Sequence, residues 1–278
     1  MLRTRVLTAV VGIPLFLVAL WAPGGWLFAG VCSLLAGVGI LEFRSVYSER
    51  EGHRYHLNPV LLVWGASLPL LTRLFPDMAL HESLLPVLGA SFLWELARAW
   101  RQGVAPIVPN LSYALFGALY IGWLMSFAVR LRNDFTPQTM YELPIEQGVL
   151  WVVWLMAMLW TGDSGAYFAG KLIGKRKIAP SISPAKTVEG SVANLILCAL
   201  VGYGVGLAVG VSAPVAIATG LGVGVLGQLG DLFESALKRA VGVKDFGGIL
   251  PGHGGVLDRF DSLLFSAPFV WWVVAYWV

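Results

Sequence analysis

The side chains best suited to chemistry in this chain are gathered between Ser235 and Asp261, in the run Ser235-Ala-Leu-Lys238-Arg239-Ala-Val-Gly-Val-Lys244-Asp245-Phe-Gly-Gly-Ile-Leu-Pro251-Gly-His253-Gly254-Gly255-Val-Leu-Asp258-Arg259-Phe-Asp261. Lysine and arginine bind anions, and carboxylates bind hard metal ions through oxygen. The pattern therefore fits a metal site that receives a polyanion. Asp258 and Asp261 are three residues apart, and they share one face if the segment is helical. Gly252, Gly254 and Gly255 surround His253, so the backbone there can bend sharply and approach a ligand. A single histidine is a poor basis for a metal site. With aspartates beside it the donor set favours magnesium over zinc, and His253 reads as a phosphate or loop contact.

Three further stretches carry comparable residues. Thr161-Gly-Asp163-Ser164-Gly-Ala-Tyr167 places a carboxylate inside an apolar run, where it needs a cation, either a metal ion or a nearby lysine. Ser183-Pro-Ala-Lys186-Thr187-Val-Glu189-Gly190 combines a turn, a cation and hydroxyls just before a helix, whose free N-terminal amides favour anions. The cluster Lys175-Arg176-Lys177 ahead of it reads equally as a membrane anchor. In Gly230-Asp231-Leu-Phe-Glu234-Ser235-Ala-Leu-Lys238, a helix puts Asp231, Glu234/Ser235 and Lys238 on one face, and an amphipathic interfacial helix fits the same pattern. Each carboxylate held in the bilayer costs about 3 kcal/mol. Bringing Asp163, Asp231, Asp258 and Asp261 together thus requires cations, either two divalent ions or one divalent and one monovalent.

The elements that must position these residues are membrane helices. Charged residues are 13% of the chain and apolar ones 57%, against about 25% charged in an average soluble domain. That excludes a water-soluble globule. Apolar runs recur at about 6–22, 24–41, 59–75, 80–97, 106–129, 147–169, 190–210, 212–229 and 262–278, which predicts an all-α polytopic membrane protein with about nine transmembrane helices. The first run, with Arg3 and Arg5 ahead of it, reads as a retained span rather than a cleaved signal. With a cytoplasmic N-terminus, every Lys and Arg except Arg73, Arg130 and Arg132 falls on the cytoplasmic side, as the positive-inside rule requires. All four chemistry-bearing stretches then face the cytoplasm. The expected division is an N-terminal bundle of about five spans over 1–145 and a catalytic membrane region over 146–278.

The remaining features read as structure. Glu42, Glu95, Arg98 and Arg101 are expected as anchors at span ends, and Trp21, Trp26, Trp64, Trp94 and Trp100 as belt residues at headgroup level. Cys32 and Cys198 are expected to pack within spans. The repeats Gly202, Gly206, Gly210 and Gly220, Gly224 favour close helix approach. Gly222-Val-Gly224-Val-Leu-Gly227 matches the dinucleotide fingerprint but follows no strand, so helix packing is preferred.

The run from Ser235 to Asp261 resembles in full the signature of the phosphatidate cytidylyltransferases, also called CDP-diacylglycerol synthases. Asp163-Ser-x-Ala-Tyr, Ser183-Pro-x-Lys-Thr-x-Glu-Gly and Gly230-Asp231-Leu-x-Glu-Ser are similar to other motifs of that family, in its order. The likeness is close over about 160–262 and is carried before that only by the span pattern. It implies a bacterial inner-membrane enzyme of phospholipid biosynthesis, facing the cytoplasm, that makes CDP-diacylglycerol and pyrophosphate from CTP and phosphatidate. It further implies magnesium, alone or with a second ion such as potassium, a homodimer, and no nucleic-acid partner. On this reading Asp231, Asp258, Asp261 and Asp163 hold metal. Lys186, Lys238, Arg239, Lys244 and Arg259 bind phosphates. Ser183, Thr187 and Ser235 hydrogen-bond them, Glu189 belongs to the same substrate-binding segment, and His253 with Gly254 and Gly255 shapes the loop. Rival readings are a CTP-using enzyme acting on an ether lipid or a polyprenol, and a transporter, which leaves the basic and Gly-rich loop unexplained. A CDP-alcohol phosphotransferase is excluded, because its closely spaced four-aspartate motif is absent.

Overall fold

A computed structural model describes residues 2–47, 49–50, 53–54, 58–78, 80–103, 107–135, 145–249 and 254–278. Within them the chain is nearly all helical, with two short antiparallel strand pairs. The helices are α1 (Leu2–Trp21), α2 (Trp26–Tyr47), α3 (Pro59–Leu74), α4 (Leu80–Gln102), α5 (Ile107–Gly117), α6 (Leu124–Asn133), α7 (Gln147–Leu172), α8 (Val188–Ala208), α9 (Ala213–Ala240) and α10 (Asp261–Trp277). A π-helical turn, Ala118–Trp123, joins α5 to α6. The strands are β1 (Glu49–Arg50), β2 (His53–Arg54), β3 (Lys177–Ala179) and β4 (Ser183–Thr187).

Helical segments lie at every expected apolar run. Among the described residues, five are long and apolar enough to cross a membrane: Pro23–Tyr47, Ile107–Asn133, Gln147–Leu172, Val188–Ala208 and Ala213–Ala240. Local sequence sets several of their ends. Asn58 caps α3 by accepting the Leu61 amide, with Pro59 at the first position, and Thr187 caps α8 by accepting the Gly190 amide.

The chain forms two compact units. One holds residues 1–130 and 245–259, the other 131–244 and 260–278. By packing, residues 245–259 of the signature run group with the first unit.

In the first unit, Leu61, Trp64, Leu68 and Ala118 form a buried core between α3 and the π turn. Trp64, expected at the headgroups, lies in this core and donates its indole N–H to Ser83. Trp21, Trp26, Trp94 and Trp100 are exposed. Glu95 and Arg98 are not span-end anchors either: α4 continues to Gln102 and buries both. Glu95 accepts from Asn58, Asn110 and Arg98, the last at 2.9 Å. Burial of a charge is tolerable here because a partner and polar donors surround it.

In the second unit, α8 packs between α7 and α9. A Cβ on Gly202 would lie 2.8 Å from the Gly220 Cα, so the small-residue spacing does permit close backbone approach. Gly210 plays a different part. It lies beyond the end of α8 at φ +88°, a backbone conformation suited to glycine. Gln228 on α9 ties the pair together, donating to Asn194 on α8 at 3.1 Å. Gly222 to Gly227 lie inside α9, in keeping with helix packing. Cys32 and Cys198 are buried free thiols.

Candidate active site

In the second unit, α7 supplies Asp163, α9 supplies Asp231, and α10 opens with Asp261. The charge of Asp231 acts on both other aspartates, and that of Asp163 also acts on Asp261. Cations answer this gathering of negative charge. Lys186 on β4 reaches the Asp231 Oδ2 with its Nζ at 2.6 Å and also acts on Asp163, while Lys238 acts on Asp261. Gly230 is needed beside Asp231, since a Cβ there would lie 2.5 Å from the Asp261 carbonyl oxygen. The Gly-Asp pair thus lets α9 pass close to the start of α10.

The expected helical face of α9 is present. Ser235 donates to the Asp231 Oδ1 at 3.4 Å, and Lys238 pairs with Glu234 Oε1 at 2.8 Å. Glu234 is fully buried, so the Lys238 ammonium is engaged within its own helix. Ser183-Pro-Ala-Lys186-Thr187 differs from the expected turn: it is strand β4, paired antiparallel with β3 in the register Lys177↔Thr187 and Ala179↔Ser183. Arg239 braces this hairpin by donating to the Ile182 carbonyl, and it also donates to the Val243 carbonyl. Glu189 accepts the backbone amides of Lys175 and Arg176, which fixes the turn before β3. Thr187 caps α8. Lys244 is exposed.

The first unit carries the rest of the signature. Asp258 lies in a 3-10 turn, Leu257–Arg259, and Asp261 at the start of α10. The two are therefore not on one helix face, because the 3-10 turn ends before α10 begins. Asp258 is buried, and its Oδ2 accepts the amides of Phe246 at 3.0 Å and Gly255 at 2.8 Å. Gly254 has φ +86°, and Arg259 is exposed. Pro251, Gly252 and His253 lie outside the described residues.

One partner of this loop lies outside the expected site residues. Glu42, on α2, accepts the amides of Val256 at 3.0 Å and Leu257 at 2.9 Å. The end of the second apolar run at 41 predicts a span-end anchor here, whereas α2 continues to Tyr47 and buries the residue. A carboxylate inside an apolar helix was the available signal.

The family model of the cytidylyltransferase family matches residues 3–277. The chain belongs to that family. It is similar to the phosphatidate cytidylyltransferase of Synechocystis, 34% identical over 97% of this chain and 95% of that protein. It also resembles the phosphatidate cytidylyltransferases of Bacillus subtilis and Staphylococcus aureus strain COL, 40% and 44% identical over 60% and 57% of this chain. Those two matches span 59% and 57% of the relatives' own lengths. As a cytidylyltransferase the chain has a natural use for a charged cluster, since the reaction of this class joins a phosphate to a nucleotide.

The donor set can be weighed against a metal ion. Among the described residues no three His, Cys, Asp or Glu side chains close on a single point. Even so, Asp163, Asp231 and Asp261 offer carboxylate oxygen alone, which suits a hard divalent cation in kind. Asp258 already spends one oxygen on two backbone amides.

Proposed function

We propose that this protein is a phosphatidate cytidylyltransferase, which converts CTP and phosphatidate to CDP-diacylglycerol and pyrophosphate. The observation that carries this reading is the near full-length similarity to the Synechocystis phosphatidate cytidylyltransferase. The nucleophile is a phosphate oxygen of phosphatidate. Its second pKa, about 6, leaves it largely ionised at neutral pH, so no strong general base is needed. The obstacle is electrostatic, because a phosphate dianion must approach the α-phosphate of a triphosphate.

Asp231 and Asp261, with Asp163, would hold magnesium, alone or with a second ion such as potassium. A bound divalent ion screens that repulsion and neutralises the departing pyrophosphate. Lys186 is poised to exchange its ion pair with Asp231 for a phosphate. Lys244 and Arg259 add exposed positive charge, and Lys238 and Arg239 contribute from the end of α9. Asp258, Gly254 and Gly255 shape the loop that leads through Phe260 into Asp261, and His253 is assigned a phosphate contact. Thr187, Glu189 and Ser183 form the hairpin and cap that present Lys186.

Nine spans with the N-terminus in the cytoplasm complete the proposal, supported by the distribution of Lys and Arg. The enzyme then sits in the bacterial inner membrane with its site on the cytoplasmic side. The family resemblance adds a homodimer, read out by the mass of the detergent-extracted protein.

The test is an assay of the purified full chain with labelled CTP against phosphatidate, an ether-lipid phosphate and a polyprenol, with magnesium and with chelator. The expected result is CDP-diacylglycerol and pyrophosphate from phosphatidate only, abolished by the chelator. Phosphorylation of the polyprenol, or no consumption of CTP, overturns the reading.

A further inference from the structure

We infer that Glu42 is a positioning residue for catalysis: its carboxylate fixes the register of the signature loop, and through that loop it governs turnover more than substrate binding. The inference rests on the cytidylyltransferase reading above.

Glu42 lies within α2 and is 4% exposed. Its Oε2 accepts the Leu257 amide and its Oε1 the Val256 amide, at 2.9 and 3.0 Å. These two consecutive amides stand at the start of the 3-10 turn Leu257–Arg259, where no carbonyl of the turn itself can take them. A carboxylate is well matched to such a pair, because both oxygens accept and its charge strengthens both bonds.

Two glycines make room for it. A Cβ on Gly255 would lie 2.6 Å from Oε2, and one on Gly247 2.5 Å from Oε1. The same loop is closed by Asp258, which takes the amides of Phe246 and Gly255. One carboxylate is supplied by the loop and the other by a helix more than two hundred residues earlier in the sequence. Because Glu42 grips two successive amides, the loop cannot slip by one residue without breaking both bonds. Arg259 follows within the same turn, and Asp261 is two residues further on. A buried carboxylate adds direction and register.

The experiment uses the full chain in lipid nanodiscs with the CTP and phosphatidate assay, and kcat and KM are normalised to folded protein by size-exclusion and thermal unfolding. Glu42→Gln keeps the size of the side chain but leaves one acceptor for two amides. It should lower kcat about a hundredfold, the scale expected for misplaced reacting groups, with KM for both substrates within about threefold of the unsubstituted protein. Gly255→Ala, which pushes a methyl into Oε2, should act in the same direction and add little when combined with Glu42→Ala, since the two disturb one contact.

A folded Glu42→Gln variant with kcat within about threefold of the unsubstituted protein overturns the inference, as does a loss carried by KM or fully multiplicative effects of Gly255→Ala and Glu42→Ala. If Glu42→Gln does not fold, Gly255→Ala carries the test alone by the same split between kcat and KM. If the unsubstituted protein makes no CDP-diacylglycerol, the activity reading fails by itself. Amide exchange then decides whether Glu42 holds the loop: faster exchange at Val256 and Leu257 in Glu42→Gln supports it, and unchanged exchange overturns it.

Discussion

Two sets of carboxylates, one in each unit, are used in opposite ways. In the first unit Glu42 and Asp258 are buried and hydrogen-bonded to the backbone amides of residues 246 and 255–257. In the second, Asp163, Asp231 and Asp261 act electrostatically on one another and are answered by Lys186 and Lys238. The first arrangement shapes a loop, and the second gathers negative charge that lysines answer. Asp258 and Asp261 are three residues apart in one motif and fall on opposite sides of this division. Spacing alone gives no hint of it, because two aspartates at that interval look identical until their hydrogen bonds are known.

The sharpest way to break the contrast is to neutralise one aspartate of each kind. Asp261→Asn should lower turnover the most, by about a thousandfold, the upper range for removing one electrostatic contributor to a transition state. It should leave the fold intact or slightly stabilised, since it removes a like charge from a crowded cluster. Turnover and thermal unfolding of one preparation test both halves, and an unfolded Asp261→Asn would reverse the assignment. Asp258→Asn should show the opposite balance. Losing the charged acceptor of two buried amides costs about 1–3 kcal/mol locally, so exchange across the described residues 245–249 and 254–259 should accelerate while turnover falls about tenfold to a hundredfold. A stable, fully protected loop with no turnover would instead return Asp258 to the metal.

Much of the second unit was legible in the sequence, because its signals are local. The glycine repeats that begin at Gly202 and at Gly220 predict close helix approach, and helical period places Asp231 with Ser235 on one face. The motifs that include Asp163 and Lys186 stand out by composition alone, as charged residues within or beside apolar runs. The first unit was harder to read. Glu42 meets its amides across most of the chain length, and no periodicity encodes such a pairing. Trp64, Glu95 and Arg98 depart from the belt and anchor expectation for a related reason: hydropathy marks where a span ends but not which polar residues a neighbouring helix covers. The β3–β4 hairpin is not legible locally because Ser183-Pro-Ala-Lys186 has strong turn composition, and only its pairing with Lys177–Ala179 makes it a strand.

A smaller effect tests the charged cluster from its cationic side. Lys186 lies 2.6 Å from Asp231 and its side chain is 20% exposed, so it is both a partner of the aspartate and within reach of solvent. Lys186→Ala should raise KM for CTP or phosphatidate about tenfold, the equivalent of about 1.4 kcal/mol, with a smaller change in kcat. An unchanged rate at limiting concentrations of both substrates would confine Lys186 to holding Asp231.

The smallest effect concerns the residue that ends the strand carrying Lys186. Thr187 was expected to hydrogen-bond a phosphate, but it is 4% exposed and its hydroxyl accepts the Gly190 amide at the start of α8. A Cβ on Gly174 would lie 2.8 Å from that hydroxyl oxygen, so the side chain is also closely packed. Thr187→Ala should therefore cost about 1 kcal/mol of stability, as loss of a helix cap does, and change KM by less than about twofold. Thr187→Ser, which keeps the hydroxyl, should recover most of the lost stability. If Thr187→Ala instead raises KM for CTP while Thr187→Ser restores it with no change in unfolding temperature, the hydroxyl serves the substrate. The hairpin would then belong to the charged cluster itself rather than to the scaffold that presents Lys186.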